Sequence, residues 1–340
     1  MDRRSLAHAR LWIFGGVCLI AAFVVGATMR RAILLREGDR QGSNLVQDRP
    51  LQSPPARPFV MFRSLIPGPS WGRVAAAPLS SPDGGRYFTS LSCERVHFAA
   101  DRGVCLAVEA TLLPTYSARV FNEHFDTLAT IPLTGPPSRA RVSPNGRWAA
   151  VTVFEQGHSY ADAGFSTRTT LIDTMAGKPV TDLEKFAVSR DGQRFQNSDF
   201  NFWGVTFTRD SNRFYATLSS GGVFYLVEGN ADSRQARVVS IGVECPSLSP
   251  DGTRIVFKKR VPRGVGWQWE LWLLELATMS QVPLAGETRS IDDQVEWLDD
   301  RHVTYELPST EGNIIWHVAT IGTSPAETFV NQAWSPAVVR

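Results

Sequence analysis

The side chains best suited to chemistry fall in two short stretches. The first, Gly157-His158-Ser159-Tyr160-Ala161, is distantly similar to a Gly-x-Ser-x-Gly nucleophile elbow, in which a serine on a sharp strand-to-helix turn works with a distant histidine and acid. Here strand-like apolar segments stand on both sides, so the stretch reads as a loop between strands and catalysis is not expected of it. As a loop it remains a binding candidate. His158, Tyr160, Asp162 and Phe165 set aromatic faces beside hydrogen-bonding groups, although a self-packed cap would use the same residue types. The second stretch, Lys258-Lys259-Arg260 with Trp267 and Trp269, reads as a connection between two strands. Its cations and aromatics could hold a peptide, glycan or acidic partner, the other reading being an ordinary solvated strand end. His97, His124, His302 and His317 are scattered without metal-ligand spacing, and no CxxC or Cys/His zinc cluster occurs. No cofactor or metal is expected.

What positions these residues depends first on what the chain can bury. Its 340 residues are 43% hydrophobic and 10% aromatic, enough for one large all-β domain or two ordinary ones. Only four of its 35 basic residues are lysines (Lys178, Lys185, Lys258, Lys259), and residues 41–340 hold 28 basic against 30 acidic side chains. A nearly neutral body argues against nucleic acid, which requires clustered positive charge. Cys18 lies in an apolar run, leaving Cys93, Cys105 and Cys245, so at most one internal disulfide can form. Cys93 and Cys105 flank the turn Ala100-Asp101-Arg102-Gly103. An in-register hairpin closed by that turn sets Cys105 opposite Phe98, which leaves Cys93 several residues away and disfavours the bridge.

From Leu11 to Met29 the sequence runs for 19 uncharged residues between Arg10 and Arg30, about the length that spans a bilayer as a helix. A cleaved signal peptide is the alternative, with Val25 and Ala27 as a Val-x-Ala site. Arg30 and Arg31 would then follow the cut directly, which favours an uncleaved signal-anchor. Val17 before Cys18 departs from the lipoprotein pattern. The arginines on the two sides barely discriminate orientation, but a short basic tail over residues 1–10 is expected to stay in the cytoplasm. Residues 11–29 then form a single transmembrane helix in the cell membrane, with the body extracytoplasmic. Residues 30–57, polar and broken by Gly38, Gly42, Pro50, Pro54 and Pro55, read as a linker.

Beyond Pro58 a phrase repeats: a short apolar strand, a Ser-Pro-Asp-Gly-like turn and a second apolar strand. It occurs at 141–153, 205–217 and 247–257, with weaker copies at 96–108 and 295–305. Proline presets φ, and Asp then Gly suit a type I turn, so each copy is a hairpin. Asp101, Asn145, Asp210, Asp251 and Asp299 mark spacings of 44, 65, 41 and 48 residues. All but one fit a four-stranded propeller blade with strands a, b, c and d. The long interval holds two insertions, 156–168 between strands b and c and 189–199 after strand d. Segments 59–65, 74–79 and 87–91 read as strands b, c and d with no strand a before them, and 329–339, containing Ala333-Trp-Ser-Pro336, supplies it. Six blades result, closed by both termini. Ser81-Pro-Asp-Gly84 then lies in a loop between strands c and d.

The repeat, best seen at Ser249-Pro-Asp-Gly252, resembles that of the TolB-like propeller family over residues 58–340. With Gly157-His-Ser-Tyr-Ala-Asp162, Asp199-Phe-Asn-Phe-Trp203 and Ala333-Trp-Ser-Pro336, the whole arrangement is similar to membrane-anchored TolB-like proteins of actinobacteria. The resemblance implies an all-β, six-bladed propeller preceded by one transmembrane helix. The family's namesake is a soluble periplasmic protein of the Tol–Pal system with an extra N-terminal domain; this sequence has the apolar run where that domain would be. Related six-bladed propellers in prolyl-peptidase-like enzymes draw their nucleophile from a hydrolase domain, which is not expected here. The absence of a WD dipeptide and of a Ser-x-Asp-x-Gly-x-x-Trp box disfavours WD-repeat and sialidase readings. The expectation is a non-enzymatic, membrane-anchored propeller that binds a protein, peptide or envelope glycan. A hydrolase- or lyase-like enzyme with its site at the channel mouth and a cytoplasm-facing scaffold are the alternatives.

Overall fold

The computed structural model describes residues 50–340 apart from 110–112, 163, 310 and 311. The apolar run 11–29 lies outside the described residues, among which no helix is long and apolar enough to cross a membrane. Six sheets, antiparallel except for one parallel pairing in the fourth, form six propeller blades. Blade 2 comprises Arg95–Ala99, Arg102–Glu109, Thr115–Asn122 and Thr127–Leu133 as strands a to d; blade 3 comprises Pro137–Val142, Trp148–Gln156, Ser166–Asp173 and Lys178–Asp182. Blade 4 has Asn201–Phe207, Arg213–Ser220, Val223–Asn230 and Gln235–Ile241, and blade 5 has Glu244–Leu248, Arg254–Arg263, Gly266–Glu275 and Gln281–Pro283. Blade 6 is Glu296–Trp297, His302–Leu307, Ile314–Ala319 and Glu327–Val330.

Blade 1 is closed by both ends of the domain, as the sequence predicts. Phe59–Ser64, Arg73–Pro78 and Tyr87–Ser92 are its strands b to d, and Ala333–Val339 is its strand a, antiparallel to Phe59–Ser64. The closing strand is shorter than the predicted 329–339, because Phe329 and Val330 end strand d of blade 6. Ser81-Pro-Asp-Gly84 does lie between strands c and d, where it acts as a clasp. Asp83 accepts from the backbone N–H and side-chain amide of Asn331, and buried Arg86 donates to the carbonyls of Asn331 (2.5 Å) and Gln332 (3.3 Å).

The repeat phrase works through its polar side chains. In blade 5 the Ser249 hydroxyl accepts the Arg254 N–H while Asp251 accepts the Thr253 N–H, and Gly252 sits at φ +78°, a region that glycine enters freely. The turns also link blades: Asp251 N–H donates to Asp300, and Arg209 donates to the Pro250 carbonyl. Blade faces bury Val, Leu, Phe and Ala against their neighbours, as in the cluster of Val104, Leu106, Val120, Val151 and Ile172 between blades 2 and 3. The insertion at 189–199 contributes to two further strands, Ala187–Arg190 and Gln193–Phe195, which extend blade 4 to six strands.

Cys93 and Cys105 are joined in a disulfide, with Cα atoms 5.3 Å apart, against the sequence expectation. The hairpin is tighter than assumed. Ala99 pairs with Arg102, leaving Ala100-Asp101 as a two-residue turn with Ala100 at φ 54°, so Cys105 faces Val96 and not Phe98. That shift of register brings Cys105 within reach of Cys93. Cys245 is free and buried.

Candidate functional site

In a blade of alternating strands, the start of strand a and the end of strand b lie at the same end of the sheet. The d–a and b–c connections therefore share one face of the propeller, and the a–b and c–d connections share the other. On the d–a face the channel opens as a mouth of about 450 Å³, lined by residues including Arg95, Ser138, Arg139, Tyr160, Asp292, Glu306 and Trp334. These belong to, or adjoin, the first residues of several strands a, together with b–c loops. The chain reaches the propeller at the opposite face, where the Leu51 N–H donates to the Arg86 carbonyl in the c–d connection of blade 1.

The two stretches singled out in the sequence meet at this mouth. In the loop after Gln156, the Asp162 carboxylate accepts the N–H groups of His158 (2.8 Å) and Ser159 (3.0 Å), and the Ser159 hydroxyl accepts the Ala161 N–H. Asp162 is thus the brace of a turn between two strands, and the turn is not an elbow. The brace drives Tyr160 inward. Its ring lies 5.1 Å from those of Phe154 and Trp203 and 5.3 Å from Phe165, and its hydroxyl pairs with Ser138 at 2.5 Å. His158 and Ser159 stay at the rim.

Lys258, Lys259 and Arg260 are not in a connection, as the sequence suggested, but within strand b of blade 5, while Trp267 and Trp269 lie in its strand c. Ladder pairing continues to Arg263–Gly266, so only Gly264 and Val265 form the turn. Alternation along the strand then divides the three cations. Lys258, 0% exposed, turns inward, where its ammonium meets Asp292 at 2.5 Å and lies 4.3 Å from the Trp269 ring and 5.1 Å from that of Tyr160. Burial opposes its charge, but the neighbouring Asp292 and Glu244 carboxylates help to offset this and the ammonium titrates above the ordinary lysine range. Arg260 also turns inward: it donates to Glu244 (2.9 Å) and to the Tyr160 carbonyl (3.1 Å), with Phe224 and Trp267 each 4.4 Å away. Lys259 points to the other side, onto Trp272 and Gln281. Tyr160, Phe165, Lys258, Arg260, Trp267 and Trp269 are therefore one assembly, whereas Asp162 and Lys259 serve their own elements.

Sequence reasoning missed the residues on strands a and their approaches. Arg95 pairs with Asp293 (3.4 Å) over the Trp334 ring, and Arg139 donates to the Asp292 carbonyl (3.2 Å) over the ring of Tyr160. Glu306 titrates well above the carboxylate range, through burial and then the neighbouring charge of Asp293. Their signal was available: strand a is innermost in a blade, so a charge at its start, as at Arg95 and Arg139, must face the channel. Deeper in, Glu296 gathers Arg141, His97 and Arg340. Against the cost of burial, Arg141 and then His97 lower its carboxyl to about 2.

No protein-family model and no curated protein matches the sequence. Solved structures do match in fold. TolB from Acinetobacter baumannii aligns with a TM-score of 0.55 at 14% identity, over 83% of this chain and 66% of that one. The fold is a TolB-like six-bladed propeller. A chain of the nidogen/laminin complex superposes on the TolB-like propeller with a TM-score of 0.52 at 11% identity, covering 82% of this chain and 97% of the other. A puromycin-hydrolysing peptidase of Mycobacterium tuberculosis gives 0.50 at 12% identity over 82% of this chain and 44% of its own length. The TolB-like propeller thus spans slightly less than two thirds of TolB and under half of the peptidase.

Proposed function

We propose that this chain is a membrane-anchored, extracytoplasmic propeller that binds a protein or cell-envelope ligand at the d–a mouth without catalysing a reaction. The observation that carries this reading is that the loop carrying His158 and Tyr160 lines the mouth and is backed there by the long blade 5 hairpin, whose Lys258 packs behind Tyr160 and Asp292. Aromatic rings there hold Lys258, Arg139 and Arg260 in place, giving a rigid rim suited to recognition. The disulfide supports an oxidising compartment, the run 11–29 supplies the anchor, and the chain meets the propeller on the face opposite the mouth. That a neighbour of similar fold was solved in a nidogen/laminin complex agrees with partner binding on this scaffold.

A photo-crosslinking residue at His158 on the mouth, compared with one at Met279 on the far face, tests this in intact cells. A discrete adduct from His158 alone is expected; adducts from Met279 alone would overturn it. Reporter fusions after Arg340 test the orientation, with activity expected only from an export-dependent reporter. One observation favours the enzymatic alternative: the Glu306 carboxyl lines the mouth and is held well above the carboxylate range by burial and then by the Asp293 charge, as a general acid requires. Turnover of an ester or uronate substrate that Glu306→Gln abolishes would establish that reading in place of binding.

A further inference from the structure

The extended blade 4 leaves a second surface, separate from the mouth. Its neighbour, blade 5, has only four strands and an outermost strand of three residues, Gln281–Pro283, so the outer strands of blade 4 project past it. Cross-strand register puts Arg194, Ser189, Arg237, Glu228 and Tyr215 in one row across five strands. Tyr215 ends the row against the cluster of Ile255, Phe257 and Leu274, and Arg213 lies two residues along on the same side. Beyond Tyr215 the row lines a groove of about 610 Å³ drawn entirely from blade 4.

The groove's charge is unbalanced. Arg237 and Arg213 share the one carboxylate of Glu228, Arg213 also reaches Asp210, and Arg194 bonds the uncharged Gln196. Arg213 and Arg237 side chains are 56% and 65% exposed. Strands lie about 5 Å apart, which spaces the Arg194 and Arg237 positions by about 10 Å. Guanidinium groups bind carboxylates through paired, planar hydrogen bonds. Among the described residues no lining side chain is aromatic, so sugar rings have no stacking platform. The outermost strand, Gln193–Phe195, instead offers an open backbone edge to a peptide.

We propose that this groove binds an acidic peptide segment of a protein partner, its carboxylates taken by Arg194, Arg213 and Arg237 and its backbone by the Gln193–Phe195 edge. In the free protein Glu228 stands in for one ligand carboxylate. The test is fluorescence anisotropy of labelled octaglutamate on the full chain in detergent, with polygalacturonate as the glycan comparison. Arg194→Ala and Arg237→Ala should each weaken peptide binding about tenfold, whereas Arg119→Ala on blade 2 leaves it unchanged. Glu228→Gln, which removes the internal competitor, should tighten it several-fold, a gain that misfolding cannot mimic. Equal loss from Arg119→Ala, no gain from Glu228→Gln, or tighter binding of polygalacturonate than of peptide would each overturn the proposal. None of these outcomes bears on the mouth.

Discussion

Lys258 and Asp292 offer a quantitative test of whether the mouth is one assembly, because the two partners differ in what each would leave behind. Lys258 is fully buried, while the Asp292 side chain is 36% exposed and keeps Arg139 as a second partner. Lys258→Met retains most of the apolar stem and leaves a carboxylate that still meets water and a guanidinium. It forfeits one ion pair and two ring contacts, a loss of about 2 kcal/mol. Asp292→Asn instead strands a buried ammonium without its carboxylate, and breaking a buried pair in that sense costs about 3–5 kcal/mol. The asparagine variant should therefore be the less stable of the two. The double variant should recover about 1 kcal/mol or more over additivity, since the residues touch. Guanidinium unfolding followed by tryptophan fluorescence measures all four species, with Trp269 as a reporter beside the ammonium. Equal costs, or a coupling below about 0.5 kcal/mol, would refute the reasoning.

Three further outcomes follow from the fold. Arg86→Met removes the donors to the Asn331 and Gln332 carbonyls and should cost about 3 kcal/mol; hydrogen exchange should rise first in the closing strand Ala333–Val339. Cys105→Ser opens a loop of sequence separation 12 and should lower stability by about 3 kcal/mol, a loss that a reductant reproduces in the parent protein and not in the variant. In the pH dependence, Glu296 titrates at about 2 when folded, so its stabilisation is complete above the ordinary glutamate range near 4.5 and fades as pH falls toward 2. Glu184 works in the opposite sense. Burial raises it to about 8, against the N–H groups of Thr169 and Phe202 that it accepts. Its contribution is full below about 4.5 and lost as pH rises through 8. Glu184→Gln should flatten the stability profile between those limits, as thermal unfolding across pH would show.

The propeller was legible because its turn chemistry is local. Ser249, Asp251 and Gly252 satisfy their own hairpin, so the phrase must recur wherever strands a and b are joined. The disulfide was misjudged for the converse reason: one residue at positive φ, Ala100, shortened a turn that the sequence could equally have made longer. The two-strand extension of blade 4 was seen only as an insertion. Gln193-Arg194-Phe195 carries no apolar alternation, and it forms a strand because Ala187–Arg190 finds a parallel partner in Gln235–Arg237, a pairing across 48 residues that no local pattern encodes.

At the mouth, the sequence identified the rings and two of the cations they hold, Lys258 and Arg260, but missed Arg139 and the carboxylates to which these cations are bound. Tyr160, Trp267 and Trp269 stood out because aromatics are unusual in loops, yet Tyr160 matters here through cations from elsewhere in the chain, Arg139 and Lys258, while the tryptophans hold Arg260 of their own hairpin. Those cations are in turn committed to Asp292 and Glu244. A ligand at this rim would meet charges already neutralised and rings already packed. Its selection would then depend on fit to a pre-formed surface more than on net charge, and its affinity should depend weakly on salt. The blade 4 groove, with arginines in excess over carboxylates, should show the strong salt dependence that exposed charge imposes. Measured on one protein, that contrast separates the two surfaces without knowledge of either partner.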